Sequence, residues 1–195
     1  MRGSAICKVL ASKSASFSVG DYATGGTGWT EVAILPAKEL IKIDIPSNGK
    51  VTDALGVLGG TGLTAYFGLL DVGKVKAGDF VVVSGAAGAT GSVVCQIAKL
   101  KGAKVLGIAG SDDKVEWLKE LGCDDALNYK SVFDPLTHHM CHILIFDIGK
   151  TFAQDFKDKT KDLIDVFFDN VGGQVLELAL SRAKAHSRFV MCGGK

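Results

Sequence analysis

Residues 80–91 limit the fold more tightly than any other part of the chain. Phe80-Val81-Val82-Val83-Ser84 is apolar and β-branched without alternation, so both of its faces must be buried, as in a central strand of a parallel sheet. Ser84-Gly85-Ala86-Ala87-Gly88-Ala89-Thr90-Gly91 follows, with glycines at 85, 88 and 91. A helix is predicted over 92–101, with Val93, Val94, Ile97, Ala98 and Leu100 on its apolar side. Strand, glycine loop and helix in that order suit a pyrophosphate lying against backbone N–H groups at a helix N-terminus. Any Cβ there would hold the phosphates off. A tight turn with close helix–sheet packing would also use these glycines, so the loop alone admits both readings.

The flanking sequence repeats the strand–helix rhythm. A second strand is predicted over 104–109 and a helix after Ser111, with Asp112 and Asp113 in its first turn as the helix dipole prefers. That helix stops at Gly122, and 125–129 reads as a short third strand. Further on, 163–168 is strand-like, Gly172-Gly173 opens a helix to Ala183, and 188–191 is a last strand. Such alternation predicts an α/β fold with a doubly wound parallel sheet. Before it, 53–72 reads as helical with a break near Gly59-Gly60, and Lys76-Ala77-Gly78-Asp79 as a turn. Residues 1–50 read as β-rich, with a strand after the turn at 18–22 and another over 29–35. Two strands do not make a stable domain, so this stretch must pack on something else.

Composition narrows the function classes. Lys and Arg total 22 against 21 Asp and Glu, which gives no basic field for nucleic acid or anionic lipid. No apolar run approaches the length of a membrane span. Glycine, at 25 of 195 residues, exceeds the roughly 14 expected from average usage and clusters beside the apolar runs. The five cysteines form no C-x-x-C pair and read as reduced thiols of a cytoplasmic protein. Arg2, Lys8 and Lys13 imitate a presequence, but domain-like sequence from about Val9 argues against one.

The cofactor can be read one step further. NAD-binding folds place an acid about 20 residues beyond the loop to hold the ribose 2′-hydroxyl. Here the second strand ends in Ala109-Gly110-Ser111, with Lys114 just beyond, which favours NADP(H) over NAD(H). Against this, Lys114 could be a solvated helix residue and Ser111 only a cap, and Asp112 and Asp113 would repel a phosphate if they pointed inward.

Five segments together carry a resemblance: residues 62–70 (Gly-Leu-Thr-Ala-Tyr-Phe-Gly-Leu-Leu), the run from Val82 to Gly91, Gly110-Ser-Asp-Asp-Lys114, Asn128-Tyr-Lys130 and Phe168-Asp-Asn-Val-Gly-Gly173. They are similar to the zinc-free medium-chain dehydrogenase/reductase superfamily, and within it to the group of prostaglandin, alkenal and curcumin reductases. The resemblance runs from about residue 8 to 194. It implies a Rossmann-type NADP-binding domain over 79–195, connecting helices over 51–78, and a partial β-rich GroES-like catalytic-domain segment over 1–50. It implies NADPH-dependent reduction of the carbon–carbon double bond of α,β-unsaturated aldehydes and ketones, with hydride delivered to the β-carbon and the enolate then protonated. Cofactor-binding residues carried over are Gly88, Ala89, Thr90 and Gly91 at the pyrophosphate, Lys114 at the 2′-phosphate, and Tyr129 and Asn170. Cys192, Gly193 and Gly194 match the start of the loop beside the nicotinamide. From the residues alone, Tyr129 reads as a core aromatic and Asn170 as a strand-end turn residue. Family members are often homodimers. Alternatives are a quinone reductase of the same superfamily and a catalytically silent NADP(H)-binding protein.

Three departures from the family pattern stand out. Its catalytic domain begins well before anything matching Lys8 and continues past Gly194, so the chain reads as truncated at both ends and no catalytic residue is assigned. No Cys/His set matches a family zinc site, so no metal is expected. Residues 132–149, including His138-His139-Met140-Cys141-His142, have no family counterpart. A metal reading of this insert is disfavoured, because adjacent ligands rarely close a tetrahedral shell alone; a retained intron in the gene model is the preferred origin.

Overall fold

A computed structural model describes residues 3–130 and 150–193 of the chain. The insert expected at 132–149 lies outside the described residues. Among the described residues, no helix is long and apolar enough to cross a membrane. The chain divides into two compact units, Met1–Gly62 and Leu63–Lys195.

In the first unit, strands β1 (Ala5–Lys8), β2 (Tyr22–Gly25) and β3 (Ile41–Ile43) form an antiparallel sheet in that order. The Asp21 carboxylate ties its turn together. It accepts from Ser18 N–H at 2.8 Å and from the Lys42 ammonium at 2.7 Å. The Lys42 bond, helped by the Ser18 N–H, holds the Asp21 carboxyl below the usual carboxylate range. The strand expected over 29–35 is absent. Trp29, Val32 and Ile34 are all exposed, Ile34 almost completely, so the alternation has no layer to face. The partner of β2 is instead the short run Ile41–Ile43. Phe17 and Ala23 are the buried apolar side chains among the described residues of this unit, which agrees with the expectation that it cannot supply a core alone.

The second unit is layered around a five-stranded parallel sheet. Helix α1 (Gly60–Phe67) leads in, after the predicted glycine break, and a wider helical turn carries the chain through Gly68–Val72. Then follow β4 (Phe80–Val83), α2 (Ala89–Leu100), β5 (Lys104–Ala109), α3 (Asp112–Glu120) and β6 (Asp125–Asn128). After the undescribed stretch come α4 (Lys150–Lys159), β7 (Ile164–Asp169), α5 (Gly173–Ser181) and β8 (Ala183–Met191). The sheet order is β6-β5-β4-β7-β8, so the Rossmann-type doubly wound fold read from the sequence is the one observed.

The period of two along β4 explains its composition. Val81 and Val83 point into the core that holds Leu69, Val94, Cys95, Ala98 and Leu118, under α2 and α3. Phe80 and Val82 point the other way, to Phe152, Phe156, Val175 and Ala179, under α4 and α5. With a core on each face, no position of β4 tolerates a polar side chain. Each such residue contributes about 1.5–3 kcal/mol through burial.

Several boundaries moved, among them the end of α5, which is Ser181 and not Ala183. Helix α2 begins at Ala89 rather than Ser92, so Ala89, Thr90 and Gly91 form its first turn instead of the loop. The glycines hid this, because Gly91 reads as a helix breaker although its missing side chain is what lets the helix approach. Strand β8 is longer than expected, but its continuous pairing with β7 is Arg188–Met191, after an irregularity that includes His186 at φ +64°.

Candidate dinucleotide-binding site

In an open α/β sheet the ligand crevice lies beyond the carboxyl ends of the strands where the chain reverses its winding. Here that point falls between β4, which pairs with β5 on one side, and β7 on the other. The residues at these two strand ends interlock. Ser84 N–H donates to the Phe168 carbonyl at 3.0 Å, continuing the ladder past β4. The Ser84 hydroxyl donates to Asp169 Oδ1 at 2.7 Å and accepts from Asn170 N–H at 2.8 Å. Asn170 Nδ2 donates to the Ser84 carbonyl at 2.8 Å. Asp169 Oδ1 also accepts from the N–H groups of Val171 at 3.1 Å and Gly172 at 2.9 Å, the turn that leads into α5. Ser84 and Asp169 are fully buried, and Asp169 Oδ2 has no hydrogen-bond partner among the described residues.

The loop turns at Gly85, whose φ of +57° is the left-handed conformation that favours glycine. Gly88 N–H closes the turn on the Gly85 carbonyl at 2.9 Å, and Ala86 N–H donates to the Ile108 carbonyl at 2.9 Å. A Cβ on Gly91 would overlap the Gly85 carbonyl oxygen and lie 2.8 Å from Ala86 Cα. Only glycine lets α2 start this close to the strand. Ser92 N–H bonds back to the Gly88 carbonyl at 2.9 Å, so Ala89, Thr90 and Gly91 present the first-turn N–H groups that a helix cannot satisfy internally. Gly88 and Ala89 are exposed. The result is a short cradle of backbone donors at the positive end of a helix, suited to a diphosphate.

The carboxyl end of β5 carries the other half. Tyr129 N–H donates to the Ala109 carbonyl at 3.0 Å, and the ring packs over Gly110, where an added Cβ would lie 3.1 Å from the phenol oxygen. Lys114 is exposed in the first turn of α3. Ser111 takes the N-cap position with extended backbone, but its hydroxyl makes no hydrogen bond to the α3 backbone. It stands near the Asp113 carboxylate and is the main cause that holds that carboxyl below its usual range. At the end of β8, Cys192 and Gly193 donate their N–H groups to the Asp169 carbonyl at 2.9 and 3.0 Å. Burial, then the nearby Asp169 charge, pushes the Cys192 thiol up. Gly194 lies outside the described residues.

Gly88, Ala89, Thr90, Gly91, Asn170, Cys192 and Gly193 therefore sit at the ends of three neighbouring strands, β4, β7 and β8, or in the turn just beyond. Tyr129 and Lys114 lie at the ends of β6 and β5. Ser84 and Asp169 were not picked out in the sequence as site residues. The available signal was a small polar residue directly after one buried strand and an acid ending another.

A family profile described as zinc-binding dehydrogenase matches residues 89–195. The chain belongs to the zinc-binding dehydrogenase family. Bovine prostaglandin reductase 1 is 42% identical over 195 residues, covering 99% of this chain and 54% of that protein. The 2-alkenal reductase (NADP(+)-dependent) of Nicotiana tabacum is 38% identical, covering 98% of this chain and 51% of its own length. The crystal structure of CurA from Vibrio vulnificus in complex with NADPH superposes with a TM-score of 0.74 at 35% identity, over 97% of this chain and 51% of that one. The chain thus spans about half the length of the curated relatives it matches. The family description names zinc, but among the described residues no three His, Cys, Asp or Glu side chains come together as ligands.

Proposed function

We propose that the chain binds NADP(H) across the ends of β4, β5 and β7 and serves, as an enzyme or as its cofactor-binding core, to reduce the carbon–carbon double bond of α,β-unsaturated aldehydes and ketones. One observation carries the cofactor reading. The glycine cradle at the start of α2 stands beside a β5 end with no acid at Ala109-Gly110-Ser111 and with Lys114 in the next turn. On this reading residues 79–195 form the NADP-binding domain and 1–50 belong to a catalytic domain, with 51–78 connecting them.

Bound NADPH would supply the hydride. The chain's own residues bind and orient. Ala89, Thr90 and Gly91 meet the diphosphate with backbone N–H groups, Gly88 lets it come close because it carries no side chain, and Lys114 meets the 2′-phosphate. Asn170, fixed by its two bonds to Ser84, holds the far side of the crevice. Cys192 and Gly193 stand at its edge, where the nicotinamide would lie. The raised Cys192 pKa keeps that thiol neutral and poorly nucleophilic near electrophilic alkenals. The alkenal reading draws support from the tobacco relative and assigns no catalytic residue.

The test has two stages. Titration with NADPH and NADH, followed by nicotinamide fluorescence, should show binding with NADPH preferred. Consumption of NADPH with a 2-alkenal, and with a quinone as comparison, then separates an alkenal reductase from a quinone reductase and from a silent binder. Absence of NADPH binding by the folded chain overturns the reading.

A further inference from the structure

Two acids open α3 beside the place where a 2′-phosphate would sit, and like charges there should oppose it. The structure shows what becomes of each. Asp113 has the Ser111 hydroxyl beside it, which holds its carboxyl below the usual range. Asp112 Oδ1 accepts from Asn128 Nδ2 at 2.7 Å, a bond that crosses from α3 to the end of β6. The orientation of the Asn128 amide is set from its other end, because Asn128 Oδ1 accepts from Lys130 N–H at 2.9 Å. That leaves Nδ2 to face Asp112. The same strand end presents the Tyr129 ring to Gly110 and carries the Lys130 ammonium 5.7 Å from the centre of that ring.

We propose that Asn128 is a specificity-determining residue: by anchoring Asp112 to the β6 end, it removes a carboxylate from the 2′-phosphate site and so sets the preference for NADPH over NADH. This rests on the NADP(H) reading and deepens it. Asn128 need not touch the cofactor. It acts on where a neighbouring charge points. An unanchored aspartate in the first turn of α3 can swing toward Lys114, compete for its ammonium and repel a dianionic phosphate. At about 4 Å in water each unit of phosphate charge is worth about fivefold in affinity, and a carboxylate that spends only part of its time there costs about that much in all. NADH carries a hydroxyl at that position, so it should be nearly indifferent.

The experiment is a double-mutant cycle on the whole chain, with Kd for NADPH and NADH measured for the parent, Asn128→Ala, Asp112→Asn and the double variant. Asn128→Ala should weaken NADPH about fivefold and leave NADH within about twofold. Asp112→Asn should bind NADPH at least as tightly as the parent. In the Asp112→Asn background, Asn128→Ala should cost nothing further. Equal weakening of both cofactors by Asn128→Ala, or the same NADPH loss with Asp112 already neutral, overturns the proposal and leaves Asn128 a structural residue. Failure of the parent to bind NADPH overturns the cofactor reading itself, an outcome distinct from both. Asp112→Asn is an exposed substitution at a helix start, so that arm reads out even if Asn128→Ala folds poorly.

Discussion

The Ser84 hydroxyl donates to Asp169 Oδ1 at 2.7 Å, joining two strand ends that lie 85 residues apart in the sequence, and both residues are fully buried. That hydroxyl also accepts from Asn170 N–H. One side chain therefore fixes the start of the glycine loop to the opposite wall of the crevice. Ser84→Ala removes both bonds and strands polar groups away from water. The expected loss is about 2 kcal/mol, read by urea denaturation, with weaker NADPH binding because Asn170 keeps only one of its two bonds, that of its side chain to the backbone carbonyl of residue 84. Unchanged stability would show that the pair contributes nothing.

Gly91→Ala tests the cradle. The added methyl has no room beside the Gly85 carbonyl and Ala86, so α2 must back away from the strand and carry its N–H groups with it. NADPH affinity should fall at least about tenfold, an effect of about 1.4 kcal/mol. Gly78→Ala serves as a contrast: nothing lies within 4 Å of a Cβ there, and only its φ of +83° opposes the change. It should lower stability with little effect on cofactor affinity.

Lys114→Ala should separate the cofactors. Loss of the only cation proposed for the 2′-phosphate should weaken NADPH about tenfold and spare NADH, and the salt dependence of NADPH binding should flatten. Fluorescence titration at two ionic strengths measures both.

Acid should weaken the sheet through Asp165. Its carboxylate accepts from Phe80 N–H at 2.8 Å and from the Lys184 ammonium at 2.8 Å, bridging β4 and β8 across β7. Burial works to raise its pKa, but these two bonds outweigh burial and hold it below the usual range. A lowered folded-state pKa means the stabilisation is present above the unfolded value near about 4 and is lost as pH falls through the folded value. Asp165→Ala should therefore cost about 2 kcal/mol at neutral pH, with the gap from the parent closing in acid. Denaturation midpoints at several pH values check it. A gap that stays constant down to pH 3 would exclude this role.

Much of the second unit could be read in advance because its signals are local. The run Phe80–Val83 is apolar at every position because it has a core on each side, and composition alone reports that. Gly85 marks the loop by its left-handed backbone and Gly91 by the close approach its missing side chain allows. The relations that complete the site are not local. Nothing near Ser84 announces Asp169, and nothing near Asp112 announces Asn128, because each pair meets only when separate strands align. The error at 29–35 has the opposite cause. Alternation predicts a strand only if some layer covers one face, and Ile34 has nothing over it. The start of α2 was misjudged because glycine disfavours helices in isolation, whereas at Gly91 packing against Ala86 decides.

Strand β4 takes its two neighbours at very different times as the chain is made. On one side β5 follows after a single helix, so β4, β5 and β6 can pair early through short crossovers. On the other side β7 arrives only after β6 and α4 have been synthesised. Until then the middle of the finished sheet is a bare edge of four apolar residues, open to a strand from another nascent chain. The glycine loop proposed for the diphosphate waits as well, since Ser84 has no Asp169 to bind. Arrival of β7 thus closes the aggregation-prone edge and completes the binding crevice in one event, so a slow or faulty arrival would show first as insolubility.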